Sequence, residues 1–154
     1  MFQEPKKYTD NDHFFFESDK DLEKSAFDTL TVKKIRMNWQ CGYAMDEKLV
    51  LVKKLMASSA NLEEFANNEK AKAAGLSYHD NELYLQFPFC PCPMLAEVDK
   101  LDNNTWCQCT TGYSKVLFEK AFSCEVDIEL LKSVKMGDDS CLMKITPLGT
   151  IHFD

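Results

Sequence analysis

The hydrophobic positions change period near residue 82, from helical steps to simple alternation. Between residues 21 and 38, Leu22, Ala26, Leu30 and Ile35 recur at helical intervals, which predicts a first helix. Gly42 breaks it. Asp46 is placed to cap a second helix running to about Ser58, with Leu49, Val52, Leu55 and Met56 on its buried face. Asn61-Leu-Glu-Glu64 has capping-box spacing and opens a third helix, which Gly75 ends. Residues 78–81 read as a polar turn. Leu83, Leu85 and Phe87 then alternate with Tyr84 and Gln86, the period of a half-buried strand, and Pro88 stops it.

Thr110 or Thr111 can cap a further helix to about Phe122, with Tyr113, Val116, Leu117 and Phe122 as its apolar stripe. Val126, Ile128 and Leu130 alternate with Asp127 and Glu129. Met136-Gly-Asp-Asp139 has turn chemistry, and Cys141, Met143 and Ile145 line one face of a returning strand that Pro147 ends. The order after residue 82 is therefore strand, cysteine loop, helix, strand, hairpin, strand. This is an α+β domain: a helical N-terminal half, then an antiparallel sheet with a packed helix. Residues 1–154 form a single domain, with an arm over 1–20, a mostly helical part over 21–81 and the sheet and helix over 82–147. Phe14, Phe15 and Phe16 interrupt the polar arm and read as its buried anchor.

Composition narrows the function classes. The chain has 154 residues, 45% hydrophobic and 28% charged, the balance of a globular domain. Its 18 basic and 25 acidic side chains give a net charge of −7, which argues against nucleic acid or an anionic membrane surface as partner. No apolar run approaches the length of a membrane span, and no secretory leader is evident, so a cytoplasmic location is expected. Seven cysteines are then thiols rather than bridges.

Four of those cysteines come in two tight pairs, Cys90-Pro-Cys92-Pro93 and Trp106-Cys107-Gln-Cys109. Two dithiol arms on one short loop can converge on a metal ion, and zinc suits four soft thiolates. Cys90, Cys92, Cys107 and Cys109 are the leading ligands and Cys141 is the reserve. A thiol redox or nucleophilic site near the start of the following helix is a second reading. Small hydrophobes packed into a proline-shaped turn are the third. Cys41 and Cys124 read as core, Cys41 with the alternative of facing the pairs. His13, His79 and His152 share no ligand spacing, and Glu119 and Glu129 read as solvated.

The motifs Cys41-Gly42, Cys90-Pro-Cys-Pro93, Trp106-Cys-Gln-Cys109 and Cys141 resemble those of a bacterial family of unknown function, over about residues 39–146. Over about 105–146 the chain also resembles the 4-vinyl reductase type of small-molecule-binding domain. That second resemblance implies an aromatic ligand and a zinc held by cysteines and a glutamate. Cys107 or Cys109, Glu129 and Cys141 match those positions, and the middle cysteine of the pattern falls at about Ser133.

The expected function is a small-molecule-binding or sensor-like domain with a cysteine zinc site. Its pocket lies between the helix and the sheet, lined by Phe87, Phe89, Trp106, Tyr113 and Leu117, and takes a small apolar or aromatic ligand. An enzyme using thiol or metal-thiolate chemistry at the Cys90–Cys109 loop is the alternative, as is an interaction subunit; a homodimer is the expected assembly.

Overall fold

The computed structural model describes residues 28–38 and 41–153. Five helices and four strands follow in the order α1 (Thr29–Asn38), α2 (Met45–Ala57), α3 (Leu62–Asn67), α4 (Glu69–Ala73), β1 (Leu76–His79), β2 (Glu82–Phe87), α5 (Gln108–Phe122), β3 (Val126–Lys132) and β4 (Cys141–Pro147). Single 3-10 turns lie at Pro93–Leu95 and Val134–Met136. The strands form one antiparallel sheet in the order β1-β2-β4-β3. The α+β class with a helical first half follows the sequence pattern. The Phe14–Phe16 arm and the start of the first helix lie outside the described residues.

Local chemistry explains where the elements begin. Asp28 accepts from the Thr31 amide and hydroxyl at 2.8 and 2.9 Å, a cap for α1. Asn61 accepts from the Glu64 amide at 2.9 Å while Glu64 accepts from the Ala60 amide at 2.8 Å. The expected helix over 61–75 is two short ones. Asn68 leaves the helical conformation and caps α4 through the Lys70 amide at 2.9 Å. Asp46 is not the cap of α2: it lies in the first turn, where its charge meets the free amides, and Ala44 precedes the helix in the left-handed region.

The expected polar turn at 78–81 hides a strand. Tyr78 and His79 belong to β1, and only Asp80 and Asn81 turn, with φ of 54° and 61°. Two left-handed residues match the twist of a two-residue hairpin, and Asp and Asn tolerate that region. His79 stacks on Tyr84 across this hairpin, with ring centroids 4.3 Å apart.

Alternation then divides the sheet into two faces. Leu83, Leu85 and Phe87 of β2, Cys141, Met143 and Ile145 of β4, and Val126 and Ile128 of β3 are buried on one face. On the other, Lys144 lies 3.5 Å from Glu82 and 3.4 Å from Glu129. Helix α5 covers the buried face with Leu117, Phe118 and Phe122, and α1 and α2 pack against it from outside. Each large apolar side chain so buried contributes about 1.5–3 kcal/mol. Glu119 is half-buried rather than solvated. It binds Lys115 at 2.6 Å and accepts from the Val126 amide at 3.2 Å, fastening the end of α5 to the start of β3.

The contact between α1 and α5 depends on a missing side chain. A Cβ on Gly112 would lie 2.0 Å from the carbonyl oxygen of Met37. Alanine normally gains about 1 kcal/mol over glycine within a helix. Here the approaching group is backbone and cannot rotate away, so Gly112→Ala should destabilise by about 2 kcal/mol, in the range of overpacked cores. For a chain of this size that is about 4–8 °C in Tm. Gly42→Ala, which meets nothing within 4 Å among the described residues, serves as the unchanged control in the same melting experiment.

Candidate functional site

The site forms where the N-terminal end of α5 meets the loop after β2. Proline shapes that loop. Pro91 and Pro93 hold φ near −65° and push Cys90 and Cys92 toward extended backbone; Cys92 has φ −80° and ψ 113°. In such a polyproline-like path, with three residues per turn, side chains two apart point about 120° from one another. At the start of α5 the backbone is helical from Cys107, at φ −63° and ψ −17°. Side chains two apart on a helix point about 200° apart. Each Cys-x-Cys pair is therefore split, and its members face different surroundings.

One set contains Cys41, Cys92 and Cys109. All three line one cavity. Donation to Cys109, reinforced by burial, pushes the Cys41 thiol far up. For Cys109 the bond from Cys41 favours the thiolate, but the bond to Cys92 and burial outweigh it, and the net shift is upward. Cys41 thus faces the paired cysteines, the alternative its position before Gly42 left open.

The other set contains Cys90, Cys107 and Cys141, with Ser133. Cys90 donates to Cys141 and is raised by that bond and by burial. Cys141 is lowered, first because it accepts from Cys90, against the opposing effect of burial. The Val134 amide, 3.5 Å from the Cys141 sulfur, and the Ser133 hydroxyl add to that effect. Cys107 lies 3.2 Å from the Ser133 hydroxyl, and burial lifts it to about 11. Ser133 reaches this set because β3 slips register between Leu130 and Lys132. The bulge changes which residues face inward, so Lys132 is exposed and Ser133 is buried.

Between α5, α2 and β2 lies a cavity of about 50 Å³. Leu85, Phe87, Tyr113 and Leu117 give it an apolar wall; Pro91, Cys92 and Pro93 form another; Cys41, Cys109 and Thr110 close its thiol side. Lys48 is the charged group at its lining. The Lys48 ammonium lies 4.8 Å from the Tyr113 ring centroid, and burial pulls its pKa down. The Tyr113 hydroxyl donates to the Tyr43 carbonyl at 2.6 Å.

Of the residues expected at a pocket, Phe87, Tyr113 and Leu117 line this cavity. Trp106 instead packs in a second apolar cluster with Cys92, Leu95, Leu101 and Cys107, beneath the Arg36 guanidinium 4.6 Å away. Phe89 borders a separate groove with Pro88 and Asp139. Glu129, matched to a zinc ligand by resemblance, is on the opposite face of the sheet beside Lys144. Ser133, at the middle-cysteine position of that pattern, does stand beside Cys107 and Cys141. Cys124 packs at the edge of the main core. Among the described residues no group of three or more histidine, cysteine or acidic side chains is arranged to hold a metal ion. Nor does any described helix have the length and apolarity to cross a membrane.

Lys48 was missed by sequence reading, yet a signal was present. It lies four residues before Val52 and seven before Leu55, on the apolar stripe of α2. A lysine in that register is carried to the edge of the core.

The hydrogen-bond pattern around Cys141 makes a spectroscopic prediction. One thiol should ionise below the ordinary cysteine range, visible as thiolate absorbance near 240 nm in a pH titration of the folded, reduced protein. Cys90→Ala removes the principal donor and should move that step to higher pH. Denaturation should return all thiols to the ordinary range.

A solved structure similar in fold is a trafficking protein particle complex subunit 3 from Naegleria fowleri covalently bound to palmitic acid. The TM-score is 0.57 at 12% identity, with 92% of this chain and 95% of that chain covered. No curated protein sequence matches the chain. A family model matches residues 2–152, nearly the whole length, and the chain belongs to that family, the family of unknown function DUF6144.

Proposed function

We propose that this protein is a binding domain for a small apolar molecule with an anionic end, which enters the cavity between α5, α2 and β2; at about 50 Å³ that cavity takes only part of such a ligand as it stands, so the proline loop and α2 must part to admit the rest. The observation that carries the reading is the lining itself: apolar side chains on most sides, with the Lys48 ammonium as the charged group. A concave, mostly apolar site with few polar groups is the usual form of a small-ligand pocket. Burial weakens the hydration of Lys48, so an incoming carboxylate would replace water that is already partly lost. Two likenesses support the choice of ligand. The fold neighbour carries a fatty acyl chain, and the 4-vinyl reductase type resembled by residues 105–146 takes aromatic ligands.

Calorimetric titration with octanoate and palmitate tests this reading, with octanol as the uncharged comparison. Thr110→Phe, which places a ring in the cavity from a half-buried position, should weaken binding at least tenfold while Tm stays within a few degrees. Lys48→Met should weaken the carboxylates about tenfold or more, the scale of a hydrogen bond to a charged group, and leave octanol unchanged. No binding of any of the three to the wild-type protein at millimolar concentration overturns the proposal.

A zinc-bearing site is the second reading, favoured by six thiols gathered in two sets beside the cavity. Zinc would have to turn those thiols from one another toward the ion. About one equivalent in the untagged reduced protein, with thiols shielded until chelation, supports it. Absence of metal with freely reacting thiols overturns it.

A further inference from the structure

We propose that residues 90–101 form a flap whose opening joins the cavity to the second apolar cluster, and that this cluster receives the hydrocarbon tail of an aliphatic carboxylate. The inference rests on the proposed binding role and names where the length of the ligand goes. A cavity of about 50 Å³ has room for the charged end beside Lys48 and little more. The rest of the chain must pass one of its walls.

The walls differ in what holds them. Leu85 and Phe87 lie on β2, which is paired on both sides, and Tyr113 and Leu117 lie on α5. The side that carries Tyr43 is tied to α5 by the Tyr113 hydroxyl, which donates to the Tyr43 carbonyl at 2.6 Å. Pro91, Cys92 and Pro93 belong to a segment with one 3-10 turn and no strand partner. The two prolines have no amide hydrogen with which to join a sheet. A segment of this kind opens at a lower free-energy cost than helix or sheet.

The flap has a small core of its own. Cys92, Leu95 and Leu101 are buried with Trp106 and Cys107, and Leu130 and Met136 pack against them. Cys92 lies both in this cluster and on the cavity wall, so it is a partition between the two. Lys135, on the turn Val134–Met136, fastens the flap twice. Its carbonyl accepts from the Leu101 amide at 2.8 Å, and its ammonium donates to the Val98 carbonyl. Beyond Leu101, residues 102–104 are exposed and leave the chain free to bend.

Displacing Cys92 brings the tail against Leu95 and Trp106, where each methylene leaves water for apolar side chains. A tail that stayed in solvent would add nothing to affinity. Cys92→Ala lowers the partition, so it should strengthen dodecanoate more than octanoate. Lys135→Met keeps the stem and loses the donor. It should speed amide exchange over residues 90–101 and the association of dodecanoate, with exchange in α5 unchanged.

The test uses the full chain carrying Trp39→Phe, which leaves Trp106 as the only tryptophan. Octanoate, decanoate and dodecanoate are titrated calorimetrically below their micelle concentrations. Dodecanoate brominated at its terminal carbon, or beside its carboxylate, is then titrated against Trp106 emission. Affinity should rise about fourfold for each added methylene. The terminal bromine should quench Trp106, and the bromine beside the carboxylate should leave most of the emission at equal occupancy. Equal affinity across the series overturns the tail site and leaves the binding role standing. So does calorimetric binding of the terminally brominated acid without quenching. Absence of binding by all three acids overturns both. Exchange over residues 90–101 no faster in Lys135→Met than in the parent chain overturns the flap.

Discussion

Burial of α5 between the sheet and the helices α1 and α2 is the constraint on which the rest of the molecule depends. A helix covered on opposite sides must be apolar or small nearly all round. Accordingly Leu117, Phe118 and Phe122 fill the sheet side, while Gly112 admits the α1 backbone. The same two-sided burial decides the fate of the cysteines at its N-terminal end. Cys107 and Cys109 cannot both face one neighbour, because residues two apart on a helix lie on nearly opposite sides.

The proline loop answers that division. Cys90 and Cys92 leave an extended, proline-held backbone in different directions, one toward β4 and the other toward α5. Two thiol sets result, each drawing one member from each motif. The set with Cys141 is enclosed by the end of the sheet and by Ser133. The set with Cys41 opens on a cavity. A bulge in β3 brings Ser133 beside Cys107, and a glycine contact lets α1 close on α5.

Much of the fold was legible because it rests on periodicity. The strands β2, β3 and β4, the helix α5 and the α+β class follow from alternation and helical spacing, and the Asn61–Glu64 cap was readable from side-chain chemistry alone. The misses have equally local causes. β1 escaped because only four residues long, with Asp80 and Asn81 beside it, it reads as part of a turn. The helix over 61–75 is interrupted at Asn68 because a residue that caps well also breaks well. Of the residues expected at a pocket, Phe87, Tyr113 and Leu117 share one cavity, but Trp106 turns into a second cluster because it stands before the first helical turn of α5, beneath Arg36.

By itself the sequence determined most of the elements and the one-sided sheet, since each of these depends on neighbours in the chain. Which cysteine meets which was decided only in three dimensions. Pairing depends on the directions of side chains on backbones that differ, polyproline-like in one motif and helical in the other. It depends also on a register slip that brings Ser133 inward from a strand far along the chain. Spacing counts residues, whereas contact between sulfurs depends on angles, and those were set when α5 packed onto the sheet.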